Sequence, residues 1–291
     1  MAAKGRPIQI VSDSMADLPP EWVKELGVHV VALHVIFQDK SYRDGVDITP
    51  REFFDMMRRA PEGQLPRTSH PSPADFLQAY EAVVEAASPQ AILSIHASSE
   101  ISATYQSAVM ASRQFDRVPV RVVDSRLVSM AEGLLVREAV RAADSGASVD
   151  EVAARLEELA ARIRVRFTVE TLEYLWKNGR IGRAQAFVGG VLQVKPILAF
   201  EGGMVTPVER VRGRARSLAR LVEVCESETG GRGETLVVVH GDVPEEAEGL
   251  KEQVLKRCRF DEVIVTPLGP TIGTHTGPGT IGLIYTLAQG Q

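Results

Sequence analysis

The sequence has few of the residues that staple, anchor or strongly polarise a chain. Only 2 cysteines are present, Cys225 and Cys258. They are too few and too far apart for a disulfide framework, a CxxC redox pair or a zinc cluster, so reduced thiols packed in a core are expected and no metal is. No apolar run approaches the roughly 20 residues that cross a bilayer. The opening MAAKGRPIQIVSDS runs straight into a strand pattern without a signal peptide, and a cytoplasmic protein is expected. Neither charge dominates: 33 Lys and Arg against 38 Asp and Glu leave a net −5. That excludes a global pull toward nucleic acid or anionic lipid, although one basic run, Arg210-Val211-Arg212-Gly213-Arg214-Ala215-Arg216, stands out. Also missing are the GxSxG elbow of α/β-hydrolases and the GxxxxGK[ST] phosphate loop.

The 291 residues allow two modest domains or one large one. Apolar β-branched runs alternate with longer helical patterns. Strands are predicted at 7–11, 28–37, 91–96 and 119–123, and helices at 19–26, from 102 and at 130–144. Thr49-Pro50-Arg51-Glu52, Ser72-Pro73-Ala74-Asp75 and the stretch from Ser148 to Glu151 read as capping boxes that open further helices. This β-turn-α repetition argues a parallel sheet covered by helices. Beyond residue 160, strands are predicted at 165–169, 194–200, 204–211, 236–240 and 262–266, with helices at 214–227 and 244–257. The expected fold is therefore α/β with two lobes: an N-terminal α/β/α domain over 1–160 and a C-terminal α/β domain with a mixed sheet over 161–291. A ligand is expected in the cleft between them.

Polar residues gather at strand ends, where open α/β sheets place their ligand sites. In Arg67-Thr68-Ser69-His70-Pro71-Ser72-Pro73, Ser72 and Pro73 serve the next helix, which leaves Thr68 and Ser69 to face a cleft. Around Ser98-Ser99-Glu100-Ile101-Ser102-Ala103-Thr104 a strand gives way to a helix whose free N–H groups suit an anion. Ser102 serves either that anion or its own helix. The segment from Leu268 to Gly282 packs Gly, Pro and Thr around His275, before a Gly-Pro-Gly turn into an expected final helix. Gly277 to Gly282 matches GxGxxG formally, but no second strand with an acidic residue follows, so a dinucleotide is not expected. Gly179-Arg180-Ile181-Gly182-Arg183 suits either a surface contact or an anion.

In this order the segments resemble the DegV family of fatty-acid-binding proteins. The resemblance rests on Ser12-Asp13-Ser14, Thr68-Ser69-x-Pro71-Ser72, Ser98-Ser99-x-x-Ser102-x-Thr104-Tyr105-Gln106-Ser107-Ala108, Asp124-Ser125, Gly179-Arg180-Ile181, Lys195-Pro196-Ile197-Leu198 and Gly273-x-His275-x-Gly277-Pro278-Gly279. Two positions depart from the family pattern. Ala103 replaces the usual Gly between Ser102 and Thr104, and a residue with a Cβ does not readily take positive φ. His70 replaces the usual Gln.

The resemblance implies one long-chain fatty acid of the palmitate or oleate class between the lobes. Its carboxylate would be held by Thr68, Ser69, Ser102, Ala103 and His275; position and residue type suggest Ile36, Phe187, Val191 and Ile197 as the lining of its acyl chain. It further implies a monomeric carrier without an active site or cofactor of its own, which presents the acid to an ATP-dependent fatty acid kinase subunit. Arg180, Arg210 and Arg212 would touch that partner or, transiently, a membrane surface. The rival reading is a serine hydrolase that uses Ser102 or Ser14 with His275, and with Asp13 or Asp124 as the orienting acid.

Overall fold

A computed structural model describes residues 5–61, 63–187 and 194–290. The first half runs β1 (Ile8–Asp13), α1 (Pro20–Leu26), β2 (His29–Val31), β3 (His34–Phe37), β4 (Lys40–Arg43), α2 (Pro50–Arg59), β5 (Arg67–Ser69), α3 (Pro73–Ala87), β6 (Ala91–His96), α4 (Thr104–Ser112), β7 (Val120–Asp124), α5 (Met130–Asp144) and α6 (Val149–Arg162). Strands β2-β1-β6-β7 form a parallel four-stranded sheet. Every residue of β1 and β6 is buried, because helices cover both faces. Ile8, Ile10, Leu93 and Ile95 pack toward α5, while Val11 and Ile92 pack toward α3.

The expected capping boxes all form. Thr49 caps α2, Ser72 caps α3 and Ser148 caps α6, each with its acidic partner three residues on. The single strand expected over 28–37 is two strands. Its first part joins the parallel sheet and its second turns into a separate antiparallel sheet, β4-β3-β5. The polar stretch around Thr68 is thus an edge strand paired to Val35 rather than a loop.

The second half runs β8 (Ile163–Thr168), α7 (Glu173–Lys177), β9 (Val194–Glu201), β10 (Met204–Arg212), α8 (Arg214–Thr229), β11 (Arg232–His240), α9 (Pro244–Leu255), β12 (Arg259–Pro267), α10 (Pro270–Thr276) and β13 (Ile281–Leu287). Its mixed sheet has the order β10-β9-β8-β13-β11-β12. Only β11 and β12 pair in parallel. Helices α8 and α9 cover one face over Leu221, Cys225, Leu250, Leu236, Leu283 and Ile197. The other face, carrying Val165, Phe167, Leu198, Phe200, Val239 and Ile284, shares one core cluster with α5 and the first sheet.

Two expectations about the end of the chain are corrected. Residues after Gly277-Pro278-Gly279 form a buried strand, not a final helix, inserted between β8 and β11. His275 lies on the short helix α10, not in a loop. Gly277 leaves that helix at φ +78°, and a Cβ there would meet the Tyr174 ring at 2.3 Å. Only glycine fits both constraints.

Candidate functional site

Helix α10 is gripped at its N-terminus by two buried carboxyl groups of the first half. The Gly269 N–H donates to Asp17 Oδ1 at 3.0 Å and the Thr271 N–H donates to Asp44 Oδ2 at 3.0 Å. These are free helix-start donors, so they suit an acidic acceptor. Burial raises both acids, Asp44 to about 6 and Asp17 well above the ordinary carboxylate value. The threonines beside His275 answer to the helix itself: Thr274 and Thr276 hydroxyls donate to the carbonyls of Pro270 and Ile272, at 2.9 and 3.0 Å.

His275 projects from α10 toward β5. Its Nε2 lies 2.9 Å from Thr68 Oγ1, two groups 207 residues apart in sequence. Its Nδ1 is buried and has no partner among the described residues. Burial, with the nearby Arg180 guanidinium, lowers the His275 pKa to about 3, so the ring is an uncharged hydrogen-bonding group at neutral pH. Arg180 lies in the turn after α7. Its Nε and Nη1 donate to the carbonyls of Ile101 and Asn178, at 3.2 and 2.8 Å. Asn178 Nδ2 in turn donates to the Thr274 carbonyl at 3.1 Å, tying this turn to α10. Arg180 has no carboxylate partner among the described residues.

These groups face one cavity between the halves. Counting the open solvent at its mouth it spans about 920 Å³, and its polar groups include Thr68, His70, Ser102, Arg180 and His275, with Ser129, Thr271, Thr276 and Thr280. Ser102 Oγ lies 2.8 Å from Thr104 Oγ1 and accepts from the Thr104 N–H at 3.3 Å. Most of the remaining wall is apolar, from Met15, Leu33, Val128, Val165, Phe167 and Ile284 among others. A mostly apolar wall with hydroxyl, imidazole and guanidinium groups set into it suits an amphiphile with an anionic end.

Several expected site residues stand elsewhere. On β5 side chains alternate, so Ser69 turns away from Thr68 and is exposed. Ala103 is also exposed, outside the cavity wall. Its φ of −80° needs no glycine. Ile36 is 42% exposed on β3. Ile197 packs beneath α8 on the far face of the sheet; the period-2 rule puts Phe200, not Ile197, on the cavity side. Phe187 stacks under Arg210, whose Cζ is 4.7 Å from the ring centroid, and does not line the cavity. Val191 lies outside the described residues. Arg180 is corrected from a surface contact to a wall residue of the cavity. Arg210 and Arg212 are exposed on β10.

The hydrolase constellation is not assembled. Ser102 engages Thr104, His275 engages Thr68, and no carboxylate orients His275 Nδ1 among the described residues. Ser14 accepts from the Leu33 N–H, and Asp124 caps the Ser99 N–H and hydroxyl. Asp13 orients a different histidine in a relay that sequence reasoning did not pick out. Tyr80 OH donates to Ser94 Oγ at 3.0 Å, Ser94 Oγ–H donates to His96 Nε2 at 2.6 Å, and His96 Nδ1–H donates to Asp13 Oδ2 at 2.9 Å. The signal was Ser-x-His on one strand, which places both side chains on one face. Ser94, His96 and Asp13 are each 0% exposed, so this relay ties α3, β6 and β1 together and no substrate reaches it.

Comparison with known proteins agrees with this architecture. A family model described as an uncharacterised protein of the DegV family matches residues 7–287. A DegV domain-containing protein of Streptomyces coelicolor is 37% identical over 281 residues, 96% of this chain and 98% of that one. A DegV family protein from Thermus thermophilus, whose solved structure is described as showing fatty acid binding, superposes with a TM-score of 0.89. It is 37% identical, over 97% of this chain and 100% of that one. DegV from Bacillus subtilis, described as a fatty acid binding protein, gives 0.86 at 30% identity, over 97% and 100%. The match runs through both halves of the fold and through every segment that lines the cavity, and the chain belongs to the DegV family.

Proposed function

We propose that this chain binds one long-chain fatty acid of the palmitate or oleate class, with its carboxylate among Thr68, Ser102, Arg180 and His275. The observation that carries the reading is Arg180: a cation without a carboxylate partner among the described residues, beside a histidine with a spare ring nitrogen, at the polar end of an apolar cavity. A carboxylate taken from water needs charged or strongly polar donors, and these groups supply them. Each buried methylene contributes roughly 0.8 kcal/mol, so a long chain offers on the order of ten kcal/mol before the costs of ordering. Fatty acid binding by the relatives from Thermus thermophilus and Bacillus subtilis supports the same reading.

The protein acts as a monomeric carrier rather than an enzyme. It presents the acid to a separate ATP-dependent kinase that makes the acyl phosphate, and Arg210 and Arg212 form part of the surface that meets that kinase or a membrane. Its two free, buried thiols suit a reducing cytoplasm.

The test is native mass spectrometry of delipidated protein with added palmitate or oleate. One bound acid per chain is expected, with Kd raised about tenfold or more in Arg180→Gln and in Thr68→Ala, since each removes a hydrogen bond to a charged group. A wild-type chain that never gains the mass of a fatty acid refutes the proposal.

A further inference from the structure

Phe200 is 6% exposed and lines two cavities at once. One is the apolar cavity of the candidate site. The other is an open cleft of about 820 Å³, bounded by Ser125, Arg126, Arg164, Arg166 and the β9–β10 hairpin. Strand register shows how they are stacked. Along β8, Thr168 pairs with Ile281, the residue after the cavity-lining Thr280. Three residues back, Val165 pairs with Ile284, and continuing the β8–β9 register brings Phe200 beside it. Val165, Ile284 and Phe200 all line the apolar cavity, whereas Ile163 and Arg164, one step further, line the cleft.

The wall is braced. Gly202 and Gly203 make the hairpin turn at positive φ. Ser98 Oγ donates to the Gly203 carbonyl at 2.8 Å, and Arg126 Nη2 donates to the Gly202 carbonyl. A Cβ on Gly203 would meet Ser98 Oγ at 2.6 Å, so the hairpin sits hard against the first half of the chain. Beyond the ring the environment changes from apolar side chains to guanidinium groups and water, where a methyl terminus gains nothing.

We propose that Phe200 is the end wall of the acyl cavity and sets the longest acyl chain the protein accepts. This rests on the fatty-acid reading above and specifies the ligand by length. Lengthening an acid by one methylene strengthens binding about fourfold while the new group is buried. The gain stops when the terminus reaches Phe200. Removing the ring opens the cavity toward the cleft and moves that limit to longer acids.

The experiment measures Kd for saturated acids from twelve to twenty-two carbons on delipidated wild-type protein, Phe200→Ala and Phe200→Leu. The expected result is a wild-type profile that tightens with length and then breaks. The break should move to longer acids in Phe200→Ala, so that an acid two carbons past the wild-type limit gains roughly tenfold relative to wild type. Phe200→Leu retains an apolar branched side chain and gives a smaller shift of the same sign, which preserves the test if the alanine variant does not fold. Variants that bind acids with the wild-type length profile overturn the role of Phe200 and leave the fatty-acid reading standing. A wild-type protein that binds no acid of any length overturns the reading itself, and the two failures are distinct.

Discussion

Acidification should cost the wild-type chain about 2 kcal/mol more stability than it costs His275→Gln. The imidazole titrates near 6.5 in an unfolded chain and near 3 in the folded one. Between these values the unfolded state holds more protons, so stability rises with pH and is lost as pH falls. At pH 5 the unfolded ring is almost fully protonated and the folded ring almost fully not. The difference of 1.5 pH units, at 1.36 kcal/mol each, gives about 2 kcal/mol relative to pH 7.5.

Asp44 acts with the opposite sign. Its folded value of about 6 lies above its unfolded 3.8, so it adds about 1.4 kcal/mol over the same descent. Asp17 and Glu132, both raised by burial, share the direction of Asp44. Wild type alone therefore reports these opposing contributions together. The difference between wild type and His275→Gln isolates the imidazole, because the three acids are present in both. Glutamine keeps a partner for Thr68 but does not titrate. Urea unfolding of delipidated protein at pH 7.5 and pH 5, followed through Trp22 and Trp176, measures it. Equal losses in the two proteins, within ~0.5 kcal/mol, would show that His275 is as hydrated when folded as when unfolded, and would sink the picture of a dry cavity end.

Two further substitutions test the scaffold. Ser94→Ala strips Tyr80 OH of its acceptor and His96 Nε2 of its donor in a fully buried site, and should lower the unfolding free energy by about 2–4 kcal/mol; a loss under ~1 kcal/mol would mean the relay is slack. Gly182 sits at φ +54° with a Cβ position 2.5 Å from the Val205 carbonyl oxygen; Gly182→Ala should cost about 1–3 kcal/mol in thermal or urea unfolding and, by displacing Val205 from the cavity wall, weaken fatty-acid binding.

What the sequence revealed divides by the range of the forces involved. Helix starts were legible because a capping box is complete within four residues, and the boxes at Thr49, Ser72 and Ser148 all form. The parallel first sheet and mixed second sheet were legible from the alternation of strand and helix patterns. The final strand was not, because a short apolar segment buried on both faces carries no period that separates strand from helix. Facing was harder than existence. Ile36 and Ile197 fall within stretches expected to be strands, but which alternate residues look into the cavity depends on the sheet across from them. The neighbours of His275 were beyond local reasoning altogether. Thr68 meets it through β5, and Asp17 and Asp44 hold its helix, all from more than 200 residues upstream. Only the resemblance to a family joined Thr68 to His275. It did not reveal that Arg180 turns inward beside them.

The central place of β13 bears on how the protein comes into being. A ribosome makes β8 and β11 long before the strand that must separate them. Until then the second sheet exists as two fragments, β10-β9-β8 and β11-β12, with the inward edges of β8 and β11 unpaired. Such edges invite wrong pairing and slow, non-local closure. Helix α10, which carries His275, comes off the ribosome just ahead of β13, so the sheet's closure and the completion of the polar grip belong to the same late event. A chain cut before Ile281 would leave those edges unpaired and expose an apolar face where β13 belongs.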